Sequence, residues 1–64
     1  MKLRTKCKNG NTVVRFYDIV TRSSVTQVID PDGNQVGDSE YDGNKDSAAF
    51  SWHALVRHNG GEAD

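Results

Sequence analysis

The chain has one cysteine, one proline, one tryptophan and one methionine among its 64 residues, and hydrophobic residues make up only 34% of it. A lone Cys7 excludes an intrachain disulfide and a thiolate-rich zinc site, and suits a reducing compartment. No apolar run approaches the ~20 residues of a membrane span, and no signal-peptide apolar region follows Lys2 and Arg4. The expectation is a soluble cytoplasmic protein with no membrane partner. So few apolar residues can build only a thin, one-sided core: a sheet with one covered and one wet face. We expect a single domain over residues 1–61, a frayed tail at 62–64, and a net stability of about 3–5 kcal/mol unless self-association adds buried area.

Charge is unevenly placed. Residues 1–22 carry Lys2, Arg4, Lys6, Lys8, Arg15 and Arg22 against Asp18, a net +5. Residues 23–64 carry eight carboxylates against Lys45 and Arg57, a net −6. Such a basic half fits either an anion-binding footprint or one of two opposed, solubilising surfaces.

Residues 2–8 alternate strictly, with Leu3, Thr5 and Cys7 on one side and Lys2, Arg4, Lys6 and Lys8 on the other, as in a half-buried strand. Asn9-Gly10 fits a two-residue type I′ hairpin turn. That turn pairs Thr5 with Val14 and Leu3 with Phe16, placing Thr12, Val14 and Phe16 inside and Val13, Arg15 and Tyr17 outside with the basic residues. A second strand is expected over 12–20, ending its covered zone near Asp18. A turn at Thr21-Arg22-Ser23-Ser24 leads to a third strand over 25–30. Pro31-Asp32-Gly33 turns the chain again into a weak fourth strand over 34–41.

A helix is expected over 45–58, capped by Asn44 or Asp46 and closed by a left-handed Gly60. Ala48, Ala49, Trp52, Leu55 and Val56 form its apolar stripe, with Phe50 nearly opposite. The fold class is therefore α+β: a three- to four-stranded antiparallel meander with one C-terminal helix packed on one face (ββββα).

The stretch from Asp32 to Ala48, with Gly33, Ser39-Glu40-Tyr41, Lys45 and the helix opening at Ala48, resembles the repeat of the YegP-like family of small bacterial proteins. Trp52 lies outside that pattern and the spacing differs. The resemblance implies a sheet-plus-helix fold and no mechanism. The strands-then-helix order is also similar, in topology alone, to the DNA-binding domains of plant ethylene-response regulators, and topology does not carry function.

No set of residues has the spacing of a catalytic site, so no enzyme, cofactor, metal or small-molecule substrate is expected. Asp30, Asp32 and Asn34 begin like a calcium loop, but Gln35 and Tyr41 stand where such a loop needs glycine and glutamate; a hairpin turn accounts for the same residues. His53 and His58 point ~140° apart on a helix and cannot share a metal.

Two surfaces remain. Phe50, His53 and Arg57 on the outer helix face, with the acidic edge of Asp38, Glu40 and Asp42, suit a protein partner or self-association, as in small accessory or inhibitor proteins of phages and plasmids. Lys2, Arg4, Lys6, Lys8, Arg15 and Tyr17 on a basic sheet face suit nucleic acid. A protein-binding module is the leading expectation and nucleic-acid binding the alternative.

Overall fold

The computed structural model describes residues 2–61, so the tail expected at 62–64 lies outside the described residues. Four antiparallel strands lie in the order β1 (Leu3–Lys6), β2 (Thr12–Asp18), β3 (Ser23–Ile29) and β4 (Glu40–Asp42), followed by α1 (Lys45–His58). This is the expected ββββα architecture. The helix packs over β2, β3 and β4, and its length and both ends match the sequence reading. Asn44, in an extended conformation, caps it by accepting from the Ser47 N–H at 2.9 Å. At the other end Gly60 takes φ +81°, the Gly60 N–H donates to Arg57 O, and the Gly61 N–H donates to Val56 O. This pair of bonds is a Schellman closure, which a left-handed glycine permits.

The first hairpin differs from expectation by one residue. The strands pair Leu3 with Arg15, Thr5 with Val13 and Lys6 with Thr12. Only Gly10, at φ +94°, is left-handed in this turn, whereas a type I′ turn needs two such residues. The Gly10 N–H donates to Cys7 O and the Cys7 N–H to Asn11 O. The loop is therefore the three residues Lys8-Asn9-Gly10, a tight turn followed by a glycine bulge. A slip of one residue exchanges the two faces of β2. Val13, paired with Thr5 and Val28, joins the core with Cys7, Val28 and Val56, against which Trp52 and Leu55 pack. Arg15 and Tyr17 share Val13's side. Thr12, Val14 and Phe16 lie on the side away from the helix, opposite to the expected assignment. The β1 assignment holds: Leu3, Thr5 and Cys7 face the helix side.

The second turn is also shifted. β2 ends at Asp18, whose carboxylate accepts from the Val20 N–H at 2.9 Å, and Ile19-Val20-Thr21-Arg22 forms the turn. Arg22 there has φ +56°, and Ile19 and Val20 are the most exposed large apolar residues described, at 79% and 88%. The expected fourth strand at 34–41 shrinks to Glu40–Asp42 plus one bridge between Ile29 and Gln35.

An asparagine clasp joins the first hairpin to the helix end. Buried Asn59 accepts at Oδ1 from Asn9 Nδ2 (2.8 Å) and Asn11 Nδ2 (3.0 Å), and its own Nδ2 donates to Leu55 O at 2.7 Å. Below the clasp the packing is tight. A Cβ on Gly61 would come within 2.9 Å of both Cys7 Sγ and Val56 Cγ1, so close approach, not flexibility, requires glycine there.

Candidate interaction surfaces

The uncovered sheet face is built by strand alternation. Register places Phe16, Val25 and Tyr41 side by side in one row across β2, β3 and β4. Val25 is only 1% exposed, with Phe16 and Tyr41 on either side of it in register. Val14 (7% exposed), half-buried Phe16 and Ile29, and Tyr41 (58% exposed) extend the apolar area. Arg4 and Lys6 stand on the same face at its β1 border, paired with Val14 and Thr12. On the β4 side the amides of Gln27 and Gln35 both donate to Ser39 Oγ, at 2.9 and 3.0 Å. The face is thus apolar in the middle and basic along one border, with the Gln27–Ser39–Gln35 amide cluster at the other.

The structure divides the residues proposed for nucleic acid. Arg4 and Lys6 lie on the uncovered face, while Lys8 is in the turn. Arg15 and Tyr17 lie on the helix side, where Arg15 lines a hollow with Leu3, Arg4, Ala49, Trp52 and His53. The continuous basic face read from the sequence therefore does not form. The cause is the same one-residue shift that exchanged Val13 and Val14.

The residues proposed for a protein partner also separate. Phe50 is 76% exposed on the outer helix face, as expected, and Arg57 is exposed. His53 instead turns to the flank beside Leu3 and Trp52, and its Nδ1 is buried without a hydrogen-bond partner. Asp38 and Glu40 are exposed on the β4 border. Asp42 is partly buried and lines a hollow with Tyr17, Ser24 and Lys45.

The remaining chemistry-bearing residues have local structural roles. Cys7 is buried, with Sγ 3.8 Å from Val56 O. One carboxylate oxygen of Asp30 accepts from both the Asp32 and Asn34 N–H groups at 2.9 Å, and the Gly33 N–H donates to Asp30 O. That carboxylate orders its own turn. Among the described residues no three histidine, cysteine or acidic side chains come together, and no helix is long and apolar enough to cross a membrane.

Sequence reasoning missed the Phe16–Val25–Tyr41 row. The signal that reveals it is the adjacent pair Val13-Val14, which gives β2 an apolar residue on each face and so allows both faces to be apolar. Comparison of the chain with protein-family models, with curated proteins and with solved structures returns no match, and the reading of function rests on these surfaces alone.

Proposed function

We propose that the chain is a small, non-catalytic protein-binding module whose working surface is the uncovered sheet face. The observation that supports this reading is the row Phe16, Val25 and Tyr41, with Val14 and Ile29 beside it, on a face with no described element above it. A four-stranded sheet gains from cover on both sides, and contiguous apolar surface rimmed by charge marks contact sites in soluble domains. The basic border of Arg4 and Lys6 favours a partner with an acidic rim.

The test uses the intact chain as bait in a lysate of its source cells, beside Tyr41→Ser and Phe16→Thr variants shown by circular dichroism to be folded. The expected result is a protein retained by the parent and lost by both variants. Equal capture by all three, or capture lost only by Phe50→Ala, would move the working surface to the outer helix face. Binding to nucleic acid that falls steeply between about 50 and 200 mM salt, and is lost with Arg4 and Lys6, would replace the reading altogether.

A further inference from the structure

We infer that the free edge of β1 takes up an extended, acidic peptide segment of a partner protein as a fifth strand. This names a partner chemistry for the protein-binding reading and rests on it, but uses a different part of the molecule.

Three observations converge on this edge. The first is the backbone. β1 is the border strand of the sheet, paired only with β2. The Cys7 N–H donates to Asn11 O, so in an antiparallel ladder Thr5 and Leu3 also direct their N–H and C=O groups to β2. Arg4 and Lys6 then direct theirs outward. A row of outward groups is a template for an added strand.

The second observation is charge. Lys2, Arg4, Lys6 and Lys8 are all exposed along this edge, and no acidic residue precedes Asp18 in the chain. Lysine on an edge discourages pairing between copies of itself, and the same charges select a segment of opposite sign. The other border of the sheet carries Asp38 and Glu40, so the selection is specific to β1.

The third observation is what lies to either side of the edge. On the helix side, the hollow between β1 and the helix flank is lined by Leu3 (39% exposed), Ala49 and Trp52, with Arg4, Arg15 and His53 at its rim. By strand parity Arg4 and Lys6 belong to the opposite side, where both line a second hollow, and Arg4 reaches the rim of each. Side chains of an added strand alternate between these sides. The fitting segment therefore alternates apolar residues, which enter the hollow against Leu3 and Trp52, with carboxylates, which meet Arg4 and Lys6.

The probe is a capped octapeptide alternating valine with glutamate. Its controls are a valine–lysine octapeptide and a block peptide of four valines followed by four glutamates. The expected result is slowed hydrogen exchange at the Arg4 and Lys6 amides with the alternating acidic peptide alone, and an affinity falling about threefold or more between about 50 and 200 mM salt. Lys6→Pro removes one outward N–H at an edge position that tolerates proline and is expected to weaken binding at least tenfold. Lys6→Gln removes only the charge and is expected to cost about two- to threefold. The exchange measurement on the unaltered chain decides the matter even where Lys6→Pro fails to fold.

Unchanged exchange at Arg4 and Lys6 overturns the inference, as does equal binding of the valine–lysine or block peptide. Protection that rises with protein concentration without peptide would make the occupant a second copy of this chain. Displacement of the peptide by a single-stranded oligonucleotide that binds more tightly would make it nucleic acid. Peptide binding that Tyr41→Ser abolishes, with β1 exchange unchanged, overturns this inference and leaves the sheet-face reading standing.

Discussion

The two faces of the sheet hold similar apolar side chains under different cover. On the helix side Val13 and Val28 lie beneath Val56, Trp52 and Leu55. On the other side Val25 is hidden nearly as completely, at 1% exposed against 0% for Val13, on a face outside the helix-side cluster and with Phe16 and Tyr41 beside it in register. Equal solvent exposure does not mean equal packing. A side chain pinned by a second layer loses its neighbours' contacts when truncated, whereas one bordered by partly exposed side chains of its own layer leaves a space that they can relax into.

The sharpest way to test that contrast is to shorten both valines. Val13→Ala is expected to cost about 2–3 kcal/mol and Val25→Ala about 1 kcal/mol, read as a fall in urea midpoint with Trp52 emission as the probe. Equal losses would mean that the uncovered face is as tightly packed as the core. The clasp gives the next largest effect. Asn59→Ala removes a shared acceptor and a donor to the helix end, and is expected to cost about 2 kcal/mol and to speed hydrogen exchange first at Asn9 and Gly61. A loss spread evenly over the strands would show that the clasp does not act locally.

Thr26 sharpens the comparison in the opposite direction. It is wholly buried on the helix side, and its hydroxyl has no partner. Thr26→Val replaces an unsatisfied polar atom with a methyl of the same shape and is expected to add about 1 kcal/mol to stability, seen as a higher thermal midpoint. A decrease would mean that the hydroxyl is paired in solution. Phe50→Ala, on the outer helix face, is expected to change stability by less than about 0.5 kcal/mol. A cost above about 2 kcal/mol would place Phe50 in a core that the exposed ring does not suggest.

The helix was legible because several independent signals agree: a capping Asn44, a stripe from Ala48 to Val56, and a glycine pair after the last turn. The Asp30 turn was legible for the same reason. The β2 faces were not. Val13 and Val14 satisfy either parity, and Asn9-Gly10 is compatible with a two- or a three-residue loop. The deciding contacts, Asn59 with Asn9 and Asn11, span 48 to 50 residues and leave no local trace. The division of the basic residues follows from that one register choice. The exposed Phe50, which depends only on helical phase, came through intact.

The asparagine clasp also bears on how the molecule ages. Asn9 and Asn59 are both followed by glycine, the neighbour that most readily lets an asparagine cyclise, lose ammonia and become aspartate, part of why asparagine is thermolabile. The reaction needs the glycine nitrogen to swing onto the side-chain carbonyl. In the fold the Gly10 N–H is held by Cys7 O, the Gly60 N–H by Arg57 O, and the Asn59 amide by three partners. Conversion of Asn59 would set a carboxylate against Leu55 O and open the clasp. The chemical lifetime of the chain is therefore governed by the small fraction of time it spends unfolded, and each conversion at Asn59 enlarges that fraction.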